Sequence, residues 1–212
     1  MRDSAERDAV ESDMLSILAC AVVAATATRL ARRGHVSAAE TSVFEMVNGL
    51  PESFTPILYA VMQGGQFLAI PGSAGSAALA GHPGAAKKLA LAGVSAWTLA
   101  RVVKKATGRG RPNAHLTGVT IRGKQWSGLG FPSGHAAVAA SLAAALSPDA
   151  GRPAQIGLWS LAALIALTRL YVGAHLPLDA VGGFALGIAA GRSAVLVVDA
   201  LGSDLSATAT GM

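Results

Sequence analysis

His175 and Asp179 stand four residues apart across Pro177, and His135 closes the stretch Gly130-Phe131-Pro132-Ser133-Gly134-His135 directly before a run of Ala, Val and Leu. If a helix begins near Leu176, His175 lies at its mouth and Asp179 in its first turn. The carboxylate can then accept from one imidazole nitrogen and leave the other as a nucleophile. A His and an Asp at a helix start can also be no more than a cap. Around His135 the local code is that of a helix entrance: Pro132 fixes its own φ and pushes Phe131 towards an extended conformation, and Ser133 is a good N-cap. First-turn N–H groups have no partner inside the helix and carry the positive end of its dipole. With Gly134 leaving the backbone open, they form a seat for phosphate in which His135 is a proton donor. The plain alternative is a capped helix with an incidental first-turn histidine.

The basic residues extend this chemistry. Lys104 and Arg111 are separated by Gly108 and Gly110, and Pro112 follows, so no helix continues between them and both reach inwards from a turn. A planar guanidinium fork and a compact ammonium together suit a phosphoryl group held by three oxygens. Taken alone, Lys104, Lys105, Arg109 and Arg111 also fit the basic flank of a membrane span. Arg169 lies within an otherwise apolar run and needs an anionic partner. No carboxylate or third ligand stands in helical register with His135 and His175, so a zinc site is not expected.

Long apolar segments must position these groups. The chain has 212 residues, 52% of them hydrophobic and only 14% charged, with a mean hydropathy of +0.48. Polar residues gather in a few short stretches, which is the pattern of one polytopic membrane domain and not of a soluble one. A formal net charge of +5 fits anionic headgroups or phosphorylated substrates as weak support. Cys20, the only cysteine, leaves no intramolecular disulfide.

Residues 1–13 form a net-negative polar tail, the opposite of a secretory signal. Apolar spans are expected at 14–30, 54–81, 89–103, 136–146, 156–171 and 177–198. Residues 35–53 read as an amphipathic helix lying on the membrane or over the bundle, with His35 an interfacial residue. Gly64, Gly65, Pro71 and Gly72 are placed to kink or split the second span. Gly183, Gly187 and Gly191 recur every four residues, as close helix packing prefers. Residues 202–212 read as a disordered tail. The expected fold is therefore all-α, an integral membrane bundle of about six transmembrane helices over 14–198 with polar tails on both sides. With six spans, the 104–133 loop, the start of the fourth span and the 169–179 junction fall on one membrane face. Lys104, Arg111, Ser133, His135, Arg169, His175 and Asp179 converge there, and ionisable residues at a membrane edge are functional candidates.

Lys104, six residues, then Arg111-Pro112; Pro132-Ser133-Gly134-His135; Thr168-Arg169, five residues, His175, three residues, Asp179: in that order the residues resemble the three-part signature of the type-2 phosphatidic acid phosphatase superfamily. The resemblance covers roughly 54–198. Its one departure is Thr168, where the family usually has Ser, and the hydroxyl is kept. The resemblance implies a metal-independent phosphohydrolase without a cofactor, in which His175 attacks phosphorus, Asp179 orients it and His135 protonates the leaving oxygen. It also implies that Lys104, Arg111, Ser133, Gly134 and Arg169 hold the phosphoryl oxygens. Vanadium-dependent haloperoxidases share the signature but are soluble and much longer. A non-catalytic binder of lipid phosphates is the other rival, and it has no use for a nucleophile. Expected partners are a lipid phosphate, of polyprenyl, phosphatidic acid or phosphatidylglycerophosphate type, and membrane lipids, with no nucleic acid. Arg122, Lys124 and Trp126 are candidates for headgroup contact. Family precedent puts the site on the outer face of the cell membrane; Arg29, Arg32 and Arg33 weigh the other way by the positive-inside rule.

Overall fold

The computed structural model describes the backbone of residues 2–124 and 127–210 and the side chains of 7–124 and 127–202. Eight α-helices run in the order α1 (Arg2–Arg32), α2 (Ala38–Asn48), α3 (Thr55–Met62), α4 (Ala69–Leu79), α5 (Pro83–Thr107), α6 (Gly134–Leu146), α7 (Arg152–Tyr171) and α8 (Pro177–Thr210), and among the described residues there is no strand. Three stretches, within α1, α7 and α8, are each long and apolar enough to cross a membrane. The α3–α4 pair, α5 and α6 complete the bundle.

Several boundaries differ from the sequence reading. Both polar ends are helical, α1 from Arg2 and α8 as far as Thr210, because a long helix propagates cheaply through good helix formers once nucleated. Residues 211 and 212 of the expected tail lie outside the described residues. The second apolar run is split in two. Pro71 has no N–H to give to residue 67, so the chain leaves the helix near Gly65 and restarts with Pro71 in the first turn of α4. Gly65 in the gap lies against α6, where a Cβ would stand 2.7 Å from the carbonyl oxygen of His135.

The helix at the centre, α6, is only 13 residues long and nearly all buried. Its sequence is mostly alanine, so its neighbours α5, α7 and α8 come very close. The glycine stripe on α8 makes the nearest approach. A Cβ at Gly183 would stand 2.3 Å from the Ser133 carbonyl oxygen, one at Gly187 2.2 Å from that of Ala137, and one at Gly191 2.6 Å from that of Ser141. That contact fixes the first turn of α8 beside the first turn of α6. At the other end, buried Lys88 ties α5 to Asp149 (3.1 Å) and to Asp199 of α8 (3.0 Å), while Arg192 binds Asp13 of α1 at 3.1 Å. The amphipathic α2 packs over the bundle on α7 and α8, with Phe44 and Asn48 buried.

Gly187→Ala should therefore force α8 away from α6 and cost about 1–3 kcal/mol, as overpacking does. Gly157→Ala on α7, where a Cβ would meet nothing within 4 Å, should be neutral or stabilising. Thermal unfolding of both variants in detergent checks the contrast.

Candidate active site

The turn between α7 and α8 carries the nucleophile candidate. Gly173 closes α7 with φ +72°, a left-handed conformation that only glycine adopts readily, and a Cβ there would also strike the Thr120 carbonyl oxygen at 2.5 Å. The amides of Ala174 and His175 both donate to the Arg169 carbonyl (3.0 and 3.1 Å), so the turn folds back on the end of α7. His175 is 3% exposed. Asp179 has no exposed surface and lies in the first turn of α8, as the spacing predicts.

Each oxygen of Asp179 has its own duty. Oδ2 accepts from the Leu176 amide at 2.9 Å and faces His175 Nδ1 at 3.4 Å. That second distance is looser than a good hydrogen bond, as catalytic contacts often are before substrate binds. Oδ1 accepts from Arg109 Nη1 at 3.0 Å. The Asp179 carbonyl also accepts from the Ser133 amide at 2.8 Å, which joins the two helix entrances directly.

The other entrance follows from its caps. Ser133 Oγ accepts from the Ala136 amide at 3.4 Å, with Ser133 extended at φ −72°, ψ 113°. The Phe131–Pro132 peptide is cis. His135 then lies in the first turn of α6, close enough to Arg169, His175, Lys104 and Arg111 to feel all four electrostatically. Lys104 comes from the last turn of α5 and donates to the carbonyls of Leu129 (3.1 Å) and Gly130 (2.8 Å). Arg111 donates to Ser127 (3.2 Å) and Ala174 (2.8 Å) carbonyls, and buried Arg169 donates to the thioether of Met62. The structure thus gathers Lys104, Arg111, Ser133, Gly134, His135, Arg169, His175 and Asp179 at one end of the bundle.

Sequence reasoning missed three residues. Arg109 is not a solvated flank: its side chain is fully buried between Asp179 and Glu40 of α2, whose Oε1 and Oε2 accept from it at 3.0 and 2.8 Å. Glu40 stands three residues after the N-cap Ser37, a spacing that reads as a capping box, so its long-range partner had no local signal. Asn48 of α2 staples the long loop to α7. Its Nδ2 donates to Thr120, Leu170 and Tyr171 carbonyls, and its Oδ1 accepts from the Thr120 amide. Arg122 is corrected. It is buried, lies over the Tyr171 ring at 4.2 Å and donates to the carbonyls of Asn48, Leu50 and Tyr171, so it caps the ends of α2 and α7 and is not a surface charge. Lys124 is exposed, and Trp126 lies outside the described residues. His35 is exposed, and among the described residues no group of three His, Cys, Asp or Glu side chains could hold a metal.

Fold and site together define an all-helical membrane protein with a cationic, histidine-bearing cluster at one end of its bundle. The PAP2 superfamily matches residues 85–202, more than half of the chain, and the chain belongs to that superfamily. Two solved structures share the fold. LpxE from Aquifex aeolicus is similar at a TM-score of 0.70 and 24% identity over 75% of this chain and 96% of its own. The transmembrane PAP2-type phosphatidylglycerolphosphate phosphatase from Bacillus subtilis is similar at a TM-score of 0.63 and 20% identity, over 91% of this chain and 96% of its own. No curated protein matches the sequence.

Burial pushes the His175 imidazole well below its ordinary value of 6.5, and the charges of Arg169, Lys104 and Arg111 push it the same way. His175 is then neutral in the folded protein. Below about pH 6.5 the unfolded chain takes up a proton that the folded site refuses, so stability falls with acid. The loss of melting temperature between pH 7 and pH 5 should accordingly be smaller for His175→Gln than for the wild type. An equal or larger loss contradicts neutral burial.

Proposed function

We propose that this protein is a membrane phosphohydrolase that removes phosphate from a lipid phosphate or diphosphate, without a metal, through a phosphohistidine. The observation that carries the reading is the meeting of His175, backed by a buried Asp179, with three cations and the capped first turn of α6. Simple anion binding needs no such backed imidazole.

In this mechanism Lys104, Arg111 and Arg169 hold the phosphoryl oxygens with the Ser133 hydroxyl and the Gly134 amide, the Ser133 amide being given to the Asp179 carbonyl, and they stabilise the charge that spreads over those oxygens in flight. Arg109 is committed to two carboxylates and stays out of that shell. A His175 nitrogen attacks phosphorus while Asp179 steadies the ring. The phosphorus–oxygen ester bond breaks, and His135 gives its proton to the leaving alcohol or phosphate. His135 then takes a proton from water, whose oxygen attacks the phosphohistidine and frees inorganic phosphate. The residue set supports metal independence, since cations and amides stand where a metal enzyme would gather carboxylates.

A lipid substrate is supported by an apolar cavity of about 570 Å³ among α1, α2, α7 and α8. Its lining includes Leu170 and Ala180, which directly follow Arg169 and Asp179 in the chain. The name of the Bacillus subtilis neighbour, a phosphatidylglycerolphosphate phosphatase, supports keeping phosphatidylglycerophosphate among the substrates to be tried. We place the site on the outer face. Arg109 and Arg122 on that end are buried and bound by internal partners, whereas Arg29, Arg32 and Arg33 are exposed and still weigh the other way by the positive-inside rule.

The purified protein should hydrolyse at least one of phosphatidic acid, phosphatidylglycerophosphate, polyprenyl phosphate and polyprenyl diphosphate. It should do so equally well in EDTA, be inhibited by vanadate, and lose turnover in His175→Ala. Complete loss in EDTA, restored by a divalent metal, contradicts the mechanism. For sidedness, Thr117→Cys in a Cys20→Ala background should react with a membrane-impermeant thiol reagent in intact cells, and labelling only after lysis contradicts the outer-face placement.

A further inference from the structure

Glu40 belongs to no part of the superfamily signature, yet it is tied to the centre of the site. Its carboxylate takes both Arg109 Nη nitrogens, and Oε1 also accepts from the Leu178 amide at 3.0 Å, one residue before Asp179. Arg109 Nη1 is shared between Glu40 Oε1 and Asp179 Oδ1, both at 3.0 Å. The Arg109 side chain is completely buried and that of Glu40 is 9% exposed, so solvent screens neither pair appreciably.

We propose that Glu40 is a positioning residue that acts on His175 through Arg109 and Asp179. The argument concerns charge as well as geometry. Asp179 has to present a negative carboxylate to the imidazole, whose Nδ1 becomes more positive as the other nitrogen bonds to phosphorus. A guanidinium donating to Asp179 alone would fix that carboxylate but also cancel its charge. Glu40 takes up the charge of Arg109, so two carboxylates and one guanidinium leave one negative charge at the cluster, and Asp179 keeps both its anchor and its field. The bidentate fork on Glu40 sets the guanidinium plane, which only arginine supplies. The bond to the Leu178 amide fixes the turn that carries Asp179. Thus α2, which brings no residue to the phosphate, sets the strength of the nucleophile.

This inference rests on the phosphohydrolase reading, and the test separates the two. Turnover of wild type, Glu40→Gln, Asp179→Asn and the double variant is measured on the four-lipid panel in detergent micelles. Glu40→Gln keeps the shape and removes the charge. It should lower kcat about tenfold while leaving KM within about twofold, because the lost interaction matters only as His175 gains charge. In the Asp179→Asn background the same change should cost nothing further, since the route through Asp179 is already cut. Should Glu40→Gln not fold, Arg109→Lys reads the same link, with a lowered kcat at constant KM and no added loss beside Asp179→Asn. A wild type inert on all four lipids overturns the phosphohydrolase reading, whereas a fully active Asp179→Asn leaves that reading standing and overturns the positioning role, whose route runs through Asp179. An impaired Asp179→Asn beside an unimpaired Glu40→Gln, a loss carried by KM, or full additivity in the double variant overturns the positioning role alone.

Discussion

A carboxylate with no exposed surface, Asp179, is the constraint on which this site depends. Removing a carboxylate from water costs several kcal/mol, and removing the partner of a buried pair costs about 3–5 kcal/mol. The fold meets that demand from four directions: Arg109 from the long loop, the Leu176 amide from its own turn, the His175 imidazole, and Glu40 from α2 through Arg109. Each partner requires an element to be in place. The loop has to pass Gly130 beside the carboxylate, where a Cβ would stand 3.0 Å from Oδ2 and 2.5 Å from the Gly110 carbonyl oxygen. Asn48 and Arg122 have to hold that loop against the end of α7.

The helix contacts serve the same end. The glycine stripe of α8 against the carbonyls of α6 brings two helix entrances together, and the Ser133 amide donating to the Asp179 carbonyl closes the joint. One entrance carries Gly134 and His135, the other His175. Lys104, Arg111 and Arg169 come from α5, the loop and α7, each from a different element, so on the proposed mechanism a phosphoryl group is gripped only when the whole end of the bundle is assembled. This gives physical content to the spread of the signature over some 75 residues, from Lys104 to Asp179.

Much of this was legible in the sequence because it is written locally. The Ser133 cap, the four-residue step from His175 to Asp179, the Gly183-Gly187-Gly191 period and the break near Gly64–Pro71 each follow from spacing and backbone preference. What was not legible depends on pairs far apart in the chain. Glu40 and Arg109 are 69 residues apart, Asn48 and Thr120 are 72, and nothing local distinguishes Arg109, which holds Asp179, from Arg111, which holds backbone carbonyls at the pocket. Arg122 looked like a surface charge because a loop arginine buried by three carbonyls leaves no periodic trace. The helical ends were missed for a simpler reason: polar composition resembles disorder, while α1 and α8 were already nucleated by their apolar bodies.

The central claim is that His175 becomes covalently phosphorylated and that His135 handles the protons. It is tested most directly by quenching His135→Ala enzyme during reaction with nitrophenyl phosphate, a substrate whose leaving group departs without a proton. The account predicts one rapid equivalent of nitrophenol per site and an acid-labile, base-stable phosphoprotein whose phosphate maps to His175. No burst and no phosphoenzyme in that variant, with both appearing in His175→Ala, would contradict it.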